Sequence, residues 1–226
     1  MKIITGASRG IGKYLLERYV NSGEMVCGTF LSTKPLPDFA RYYSQVDVSK
    51  YSEVVSWITS LAVTDKIEVI NCAAINYNSY AHKANPNNWE RTIEINLIGT
   101  FNVIRSILPQ MRKSNYGRII NFSSVVAQTG IPGTSAYAAS KAGLWGLTKA
   151  VAAENASKGI TINNLNLGYF QIGMGEEISP EMRNKLIEKI PVNEFGEPES
   201  IYNAVNFLIE NSYINGASLD INGGLF

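Results

Sequence analysis

The chain is short of the residues that build metal centres and disulfide frameworks. It has one histidine, His82, and two cysteines, Cys27 and Cys72, among 226 residues. A structural zinc site takes about four His, Cys or carboxylate ligands at close spacing, so no metal is expected. His82 reads as a solvated loop residue. The two cysteines stand in apolar runs and read as small buried hydrophobes rather than a crosslink, which suits a reducing, cytoplasmic setting. Long hydrophobic runs are missing too. None approaches the ~20 residues that cross a bilayer, so no membrane association is expected. The start, Met1-Lys2-Ile3-Ile4-Thr5-Gly6, opens on a strand-like run without a charged leader, which points away from a secretory signal. Excess charge of one sign is absent as well: 20 Lys and Arg face 19 Asp and Glu. That balance argues against a nucleic-acid partner, which usually demands a strong basic excess.

What is present is the composition of a folded globular protein, 45% hydrophobic and 17% charged. The length suits one domain with a well-buried core. Short runs rich in β-branched residues, at 2–4, 25–30, 43–46, 67–71, 118–122, 161–165 and 218–221, alternate with longer helical-period stretches. The latter lie near 10–22, 51–61, 86–113, 136–158, 180–189 and 199–210. This alternation predicts an α/β fold: a doubly wound parallel sheet of about seven strands, with helices on both faces. Ser179 before Pro180 signals a helix start, and the segment 33–38, with Pro35 and Pro37, reads as a loop. No repeat, low-complexity segment or linker divides the chain.

Between the first strand and first helix lies Thr5-Gly6-Ala7-Ser8-Arg9-Gly10-Ile11-Gly12. A dinucleotide pyrophosphate needs a turn free of Cβ obstruction and unpaired amides at a helix N-terminus. Gly6 can take the turn, Gly10 can let backbone approach the phosphate, and Gly12 can bring helix against strand. Glycines also mark ordinary turns. The position between strand and amphipathic helix (Ile11, Leu15, Leu16, Tyr19) is what gives the run weight.

Tyr137 and Lys141 stand at i and i+4, on one helix face. Such a pair is common by chance among 12 tyrosines, but its neighbourhood is informative. Upstream, Gly117-Arg118-Ile119-Ile120-Asn121-Phe122-Ser123-Ser124 reads as a strand ending in hydroxyls. In a doubly wound sheet the carboxyl ends of strands face the ligand crevice. Taken alone, Ser124 reads rather as a hydroxyl capping the next turn, and Asn96, inside a helical stretch, as a polar residue making a local backbone bond.

Together and in this order, Thr5–Gly12, Asp47-Val48, Asn71–Ala74, Asn96, Ser124, Tyr137, Lys141, the Gly168 segment and Asp220-Ile221-Asn222-Gly223-Gly224 resemble the short-chain dehydrogenase/reductase family. The similarity is greatest to its 3-oxoacyl-acyl-carrier-protein reductase branch, and it runs from Ile3 to Gly224. The resemblance implies a single Rossmann domain over 1–226 with a short substrate lid at about 169–191. It implies hydride transfer between NAD(P)(H) and a carbonyl or alcohol carbon, and a catalytic set of Asn96, Ser124, Tyr137 and Lys141. In that set Tyr137 is the general acid or base, its pKa expected to fall beside the Lys141 ammonium and an oxidised nicotinamide. Ser124 would hydrogen-bond the substrate oxygen, Lys141 would also hold the nicotinamide ribose, and Asn96 would anchor a water. Gly6, Ser8, Arg9, Gly10, Ile11, Gly12, Asp47, Val48, Asn71, Ala73, Tyr137, Lys141 and Gly168 would hold the cofactor, with Asp47 on the adenine amino group and Val48 on its ring.

The end of the second strand, Thr29-Phe30-Leu31-Ser32-Thr33-Lys34, carries no carboxylate to bond a ribose diol. Arg9 and Lys34 could instead meet a 2′-phosphate, which favours NADP over NAD; otherwise Arg9 is an exposed helix-entry side chain. The chain departs from the family pattern at Cys72 and Ala74, where Asn and Gly are usual, and at Leu167 and Ile172, where Pro and Thr are usual. Of two basic positions expected to dock a carrier protein, one is Asn115 and the other Lys158, so a carrier-protein partner stays open beside a small-molecule carbonyl or alcohol substrate. Val126, Gln128, Ile131, Tyr169 and Met174 are the expected substrate wall. The resemblance further implies a homotetramer or homodimer, with Phe101, Ile104, Leu108, Trp145 and Leu147 shared between core and interface. The alternative function on the same fold is a non-catalytic NAD(P)-sensing or partner-subunit protein.

Overall fold

Along each strand the side chains alternate between two faces, and each face meets its own set of helices. The computed structural model describes residues 1–62 and 65–225. Its strands are β1 (Lys2–Thr5), β2 (Val26–Phe30), β3 (Tyr43–Gln45), β4 (Glu68–Asn71), β5 (Gly117–Ser124), β6 (Ile160–Leu167) and β7 (Ser218–Ile221). All pair in parallel in one seven-stranded sheet, in the order β3-β2-β1-β4-β5-β6-β7. The helices are α1 (Gly10–Asn21), α2 (Tyr51–Ser60), α3 (Pro86–Ile93), α4 (Thr100–Ser114), α5 (Val126–Thr129), α6 (Ser135–Asn155), α7 (Pro180–Ile187) and α8 (Pro198–Glu210). Ile3, Val69, Ile119 and Ile162 point to the face covered by α2, α4 and α6. Their neighbours Ile4, Ile70, Ile120 and Leu165 pack against α1 and α8. This is the doubly wound sheet that the sequence predicts. The strand order reverses between β1 and β4, so the chain leaves these strands toward opposite halves of the sheet and a crevice lies at their carboxyl ends.

Several elements differ from expectation. The stretch 86–113 is not one α-helix: α3 and α4 are joined by a π-helical turn, Glu94–Gly99. Such turns break the regular i+4 ladder and recur at functional sites. The helix expected over 136–158 closes with a 3-10 turn at Ala156–Lys158. The segment read as a loop at 33–38 leads into a 3-10 helix, Pro37–Tyr42, which stands where a crossover helix would be. Both β5 and β6 are eight residues long and buried throughout, longer than hydrophobicity suggests. In β6 the reason is Asn163, Asn164 and Asn166, each at most 2% exposed. An unpaired buried amide costs about 1–3 kcal/mol, and here each is paired. Asn163 bonds the backbone of Ile214 and Ala217, and Asn164 bonds Thr148 and Ser218.

Of the residues expected at an interface, Ile104 is wholly buried against the sheet and belongs to the core, whereas Phe101 is 42% exposed. Cys27 lies in β2, but Cys72 lies beyond the end of β4 rather than inside a strand. No disulfide joins them.

Candidate active site

The glycine-rich loop is fastened by backbone and hydroxyl bonds before any ligand is considered. Thr5 Oγ1 accepts the amides of Cys72 and Ala73, both at 3.2 Å. The Gly6 amide donates to Thr29 Oγ1 (3.1 Å), and the Tyr43 hydroxyl donates to the Ala7 carbonyl (2.8 Å). A Cβ on Gly6 would lie 2.6 Å from Ala73 Cα, and one on Gly12 would lie 2.5 Å from the Gly6 carbonyl oxygen. Only glycine allows these approaches. Helix α1 starts at Gly10 with no acidic residue in its first turn and no side-chain bond at its cap. Its first amides are thus left for an anion, as a pyrophosphate requires. The loop therefore fits a dinucleotide.

Gly6, Ser8, Arg9, Gly10, Ile11, Gly12, Asp47, Val48, Ala73, Ser124, Tyr137, Lys141 and Gly168 all line one cavity of about 700 Å³. Asn71 and Asn96 do not. Asn71 turns inward and donates to Asn121 Oδ1 at 2.9 Å. Asn96, in the π turn, is fully buried. It accepts from the Ile75 amide (2.9 Å) and donates to the Ile75 carbonyl (2.9 Å) and to Ser140 Oγ (3.0 Å). Both amide hydrogens are used, so its side chain clamps the loop after β4 onto α6. One Oδ1 lone pair remains for a water.

Ser124 ends β5, and Tyr137 and Lys141 stand one turn apart on α6. The Lys141 ammonium donates to the Phe122 carbonyl (2.6 Å) and lies 5.5 Å from the centre of the Tyr137 ring. Ser124 Oγ accepts the Val126 amide at 3.2 Å, so it caps the turn as its residue type allows. That bond uses a lone pair and leaves the hydroxyl proton to donate into the cavity. The expected fall in the Tyr137 pKa is not seen in the protein alone. Burial pushes it up to about 12, and the hydrogen bond with Ser124 pulls down only part of that rise. Burial likewise brings Lys141 down to about 8. The protein chain by itself thus keeps Tyr137 protonated at neutral pH. A bound positive charge would lower it, since in the protein alone desolvation outweighs the bond from Ser124.

At the other end of the cavity, burial alone would raise the Asp47 pKa. Bonds from Ser49 and Arg91 outweigh it and hold the carboxyl below its ordinary value. Arg91 donates to Oδ2 at 2.8 Å and Ser49 to Oδ1 at 2.6 Å, which fixes the carboxylate beside Val48. Arg9 is exposed, and its guanidinium has no partner among the described residues. Lys34 does not line the cavity. Among the expected substrate-wall residues Val126, Ile131, Tyr169 and Met174 line it, but Gln128 does not. The short helix α5 turns Gln128 outward, where it donates to Asp220 at 3.3 Å.

The residue-type reading named Ala73 and the departures Cys72 and Ala74 in the loop after β4 but missed Asn76 and Asn78. Ala74, Asn76 and Asn78 line the cavity, as does Cys72, whose thiol burial pushes up. It also missed Leu31–Thr33 after β2 as contacts. Their place at strand carboxyl ends was the available signal. A Cβ on Gly10 would lie 3.0 Å from Gly173 Cα, so the Gly173–Gly175 turn, inside the segment expected as a lid, rests on the glycine-rich loop.

Residues 1–183 match the family model of the short chain dehydrogenases. The chain belongs to that family. A 3-oxoacyl-(acyl-carrier-protein) reductase of Staphylococcus epidermidis is 33% identical over 238 aligned positions, covering 99% of this chain and 98% of that protein. An acetoacetyl-CoA reductase of Allochromatium vinosum is 32% identical over 241 positions, covering 99% and 97%. The crystal structure of a 3-oxoacyl-(acyl-carrier protein) reductase from Brucella melitensis superposes with a TM-score of 0.89 at 31% identity, covering 99% of this chain and 90% of that one. As a short chain dehydrogenase the protein is an oxidoreductase that interconverts C=O and CH–OH groups with a nicotinamide dinucleotide. Among the described residues no cluster of ligands could hold a metal ion, and no helix is long and apolar enough to cross a membrane.

Proposed function

We propose that the enzyme reduces the 3-oxo group of a 3-oxoacyl thioester with NADPH. The observation that carries this reading is the convergence of the Ser124 hydroxyl, the Tyr137 phenol and the Lys141 ammonium on one wall of the cavity whose far end holds the glycine-rich loop. The relatives' substrates supply the thioester class. When bound, the dinucleotide supplies the hydride. Ser124 donates a hydrogen bond to the carbonyl oxygen and stabilises the charge growing there. Tyr137 gives its proton to that oxygen, leaving the alcohol. Lys141, charged, favours the phenolate left behind. Gly6, Gly10, Ile11 and Gly12 would cradle the pyrophosphate and Asp47 the adenine amino group. Arg9 would take the 2′-phosphate; the β2 tip presents only Leu31, Ser32 and Thr33 to the cavity, with no carboxylate to oppose it. Cys27 and Cys72 are unpaired, and the reading places the enzyme in the reducing cytoplasm. It also makes the enzyme a homo-oligomer, with Ile98 and Phe101, exposed by 45% and 42%, as the apolar face to be covered.

The test is oxidation of NADPH and NADH, in parallel, with acetoacetyl-CoA and with simple ketones. Turnover with the thioester is expected, at lower KM for NADPH. Tight dinucleotide binding without turnover on any carbonyl would replace this reading with a sensing protein. Arg9→Ala is expected to raise the KM for NADPH about tenfold, or ~1.4 kcal/mol. The KM for NADH should stay within about twofold; equal shifts for both cofactors would remove Arg9 from 2′-phosphate binding.

A pH dependence follows from the Lys141 value of about 8. Above it the ammonium is lost and Tyr137 loses its cationic neighbour, so kcat for reduction should fall as pH rises through about 8. The stability effect has the opposite sign. In the folded state the lysine gives up its proton below its ordinary value of 10.5. The burden of the buried charge is therefore complete below about 8 and lifts as pH rises toward 10.5. Melting temperatures across that range, compared with Lys141→Met, isolate the contribution; it is absent if the two proteins shift in parallel.

A further inference from the structure

A second polar system runs from the catalytic turn of α6 to the far edge of the sheet. Ser123, next to Ser124 in β5, donates its hydroxyl proton to the Lys141 carbonyl at 3.0 Å. Its oxygen accepts the indole N–H of Trp145 at 3.1 Å, and the same N–H is shared with Asn166 Oδ1 at 3.0 Å. Asn166 Nδ2 donates to Asp220 Oδ1 at 2.7 Å, and that oxygen also accepts from Gln128. Ser123 and Asn166 are 3% and 2% exposed, so water does not replace the bonds they make with Trp145 and the Lys141 carbonyl.

We propose that Trp145, held by Asn166 and Asp220, is a positioning residue for catalysis: it sets the separation between the β5 tip that carries Ser124 and the α6 turn that carries Tyr137 and Lys141. The proposal rests on the reductase reading of the site. Hydrogen bonding within β5 and within α6 fixes each element but not the distance between them. That distance decides whether the Ser124 hydroxyl and the Tyr137 phenol reach one substrate oxygen. Two helical turns beyond Lys141 the Asn121 amide bonds Thr148 across the gap at 3.0 Å; nearer the active end, three more side-chain bonds cross it. One uses the Lys141 amine, which must stay available for chemistry. The other two meet at Ser123, and Trp145 completes them from one helical turn beyond Lys141. Its forked N–H grips β5 and β6 together. Asp220, on the exposed edge strand β7, orients the Asn166 amide so that its oxygen, not its NH2 group, faces the indole. Donation runs outward from the Trp145 N–H along both arms, through Ser123 to the Lys141 carbonyl and through Asn166 to Asp220, so loss of that one donor is felt in both.

The test is a donor–acceptor exchange. Asn166→Asp keeps an oxygen for Trp145 but sets a carboxylate against that of Asp220. Adding Asp220→Asn restores the bond, with the new amide at 220 donating to the new carboxylate at 166. Trp145→Phe keeps most of the ring and removes the N–H. A 1 Å misplacement of reacting groups can cost about 10²-fold in rate, and a smaller one less. Asn166→Asp and Trp145→Phe should therefore each lower kcat about tenfold, with the KM for NADPH within about twofold of wild type. The double exchange should bring kcat back to within about threefold. Unchanged kcat in both single variants, despite lower melting temperatures, would make the network structural only. Recovery of melting temperature but not of kcat in the double exchange would equally overturn the proposal. Wild-type protein without turnover on any carbonyl would instead sink the reductase reading itself, and this proposal with it.

Discussion

Tyr137→Phe is expected to lower kcat for carbonyl reduction by about 10²–10⁴ while leaving the dinucleotide bound. That range is what a positioned proton donor contributes. The variant keeps the ring that lines the cavity and removes only the oxygen, whose partner in the protein is Ser124. No buried polar group is orphaned, since Ser124 Oγ still accepts the Val126 amide. Stability should shift by less than about 1 kcal/mol, so a large kcat loss cannot be blamed on unfolding. Ser124→Ala is expected to cost somewhat less, about 10²–10³, because it removes charge stabilisation and leaves the proton source. The measurements are steady-state kcat with saturating NADPH and a fluorescence titration of bound NADPH. If Tyr137→Phe retained kcat within about threefold, the proton would have to come from elsewhere. The other proton donors lining the cavity would then be the Tyr169 phenol and the Lys141 ammonium, which spends one hydrogen on the Phe122 carbonyl.

The sequence is most readable where chemistry and periodicity coincide. Tyr137 and Lys141 stand at helical spacing, and α6 sets both against the cavity. The glycine-rich run sits between a strand and a helix, and the structure puts it at the crevice where the strand order reverses. What could not be read depends on facts absent from a linear pattern. β6 looks too polar for a fully buried strand, because its asparagines find partners on α6, on β7 and in the segment before β7, far away in sequence. Gln128 looks like a wall residue until the α5 turn, set by the Val126 amide on Ser124, rotates it toward Asp220. In the protein alone the Tyr137 shift runs upward, a direction hidden in the sequence because charge proximity is visible in the spacing and burial is not. Trp145 reads as an apolar helix residue, and only the fold brings its N–H to Ser123 and Asn166. Lys34 lies only one residue past Thr33 yet misses the cavity that Thr33 lines.

Gly6→Ala is expected to abolish useful dinucleotide binding, weakening it at least about 100-fold, and to destabilise the fold by about 2–4 kcal/mol. Two separate terms add. The backbone of Gly6 has φ +60°, the left-handed region, where a Cβ costs roughly 1–2 kcal/mol. The methyl would also sit 2.6 Å from Ala73 Cα and 2.8 Å from Ala73 N, and backbone atoms cannot swing aside as a flexible side chain would. Relief requires the β1 loop to part from the β4 loop, which stretches the two bonds that Thr5 Oγ1 makes to Cys72 and Ala73. The same movement tilts the start of α1, whose amides are the anion site. Gly23→Ala separates the two terms. Gly23 has φ +76°, yet a Cβ there meets nothing within 4 Å. It should therefore show the conformational cost alone, about 1 kcal/mol, with dinucleotide affinity unchanged. Thermal melts and NADPH titrations of the two variants side by side decide the matter. If Gly6→Ala melted with Gly23→Ala and bound NADPH like wild type, the close approach of the two loops would not be what shapes the cofactor cradle.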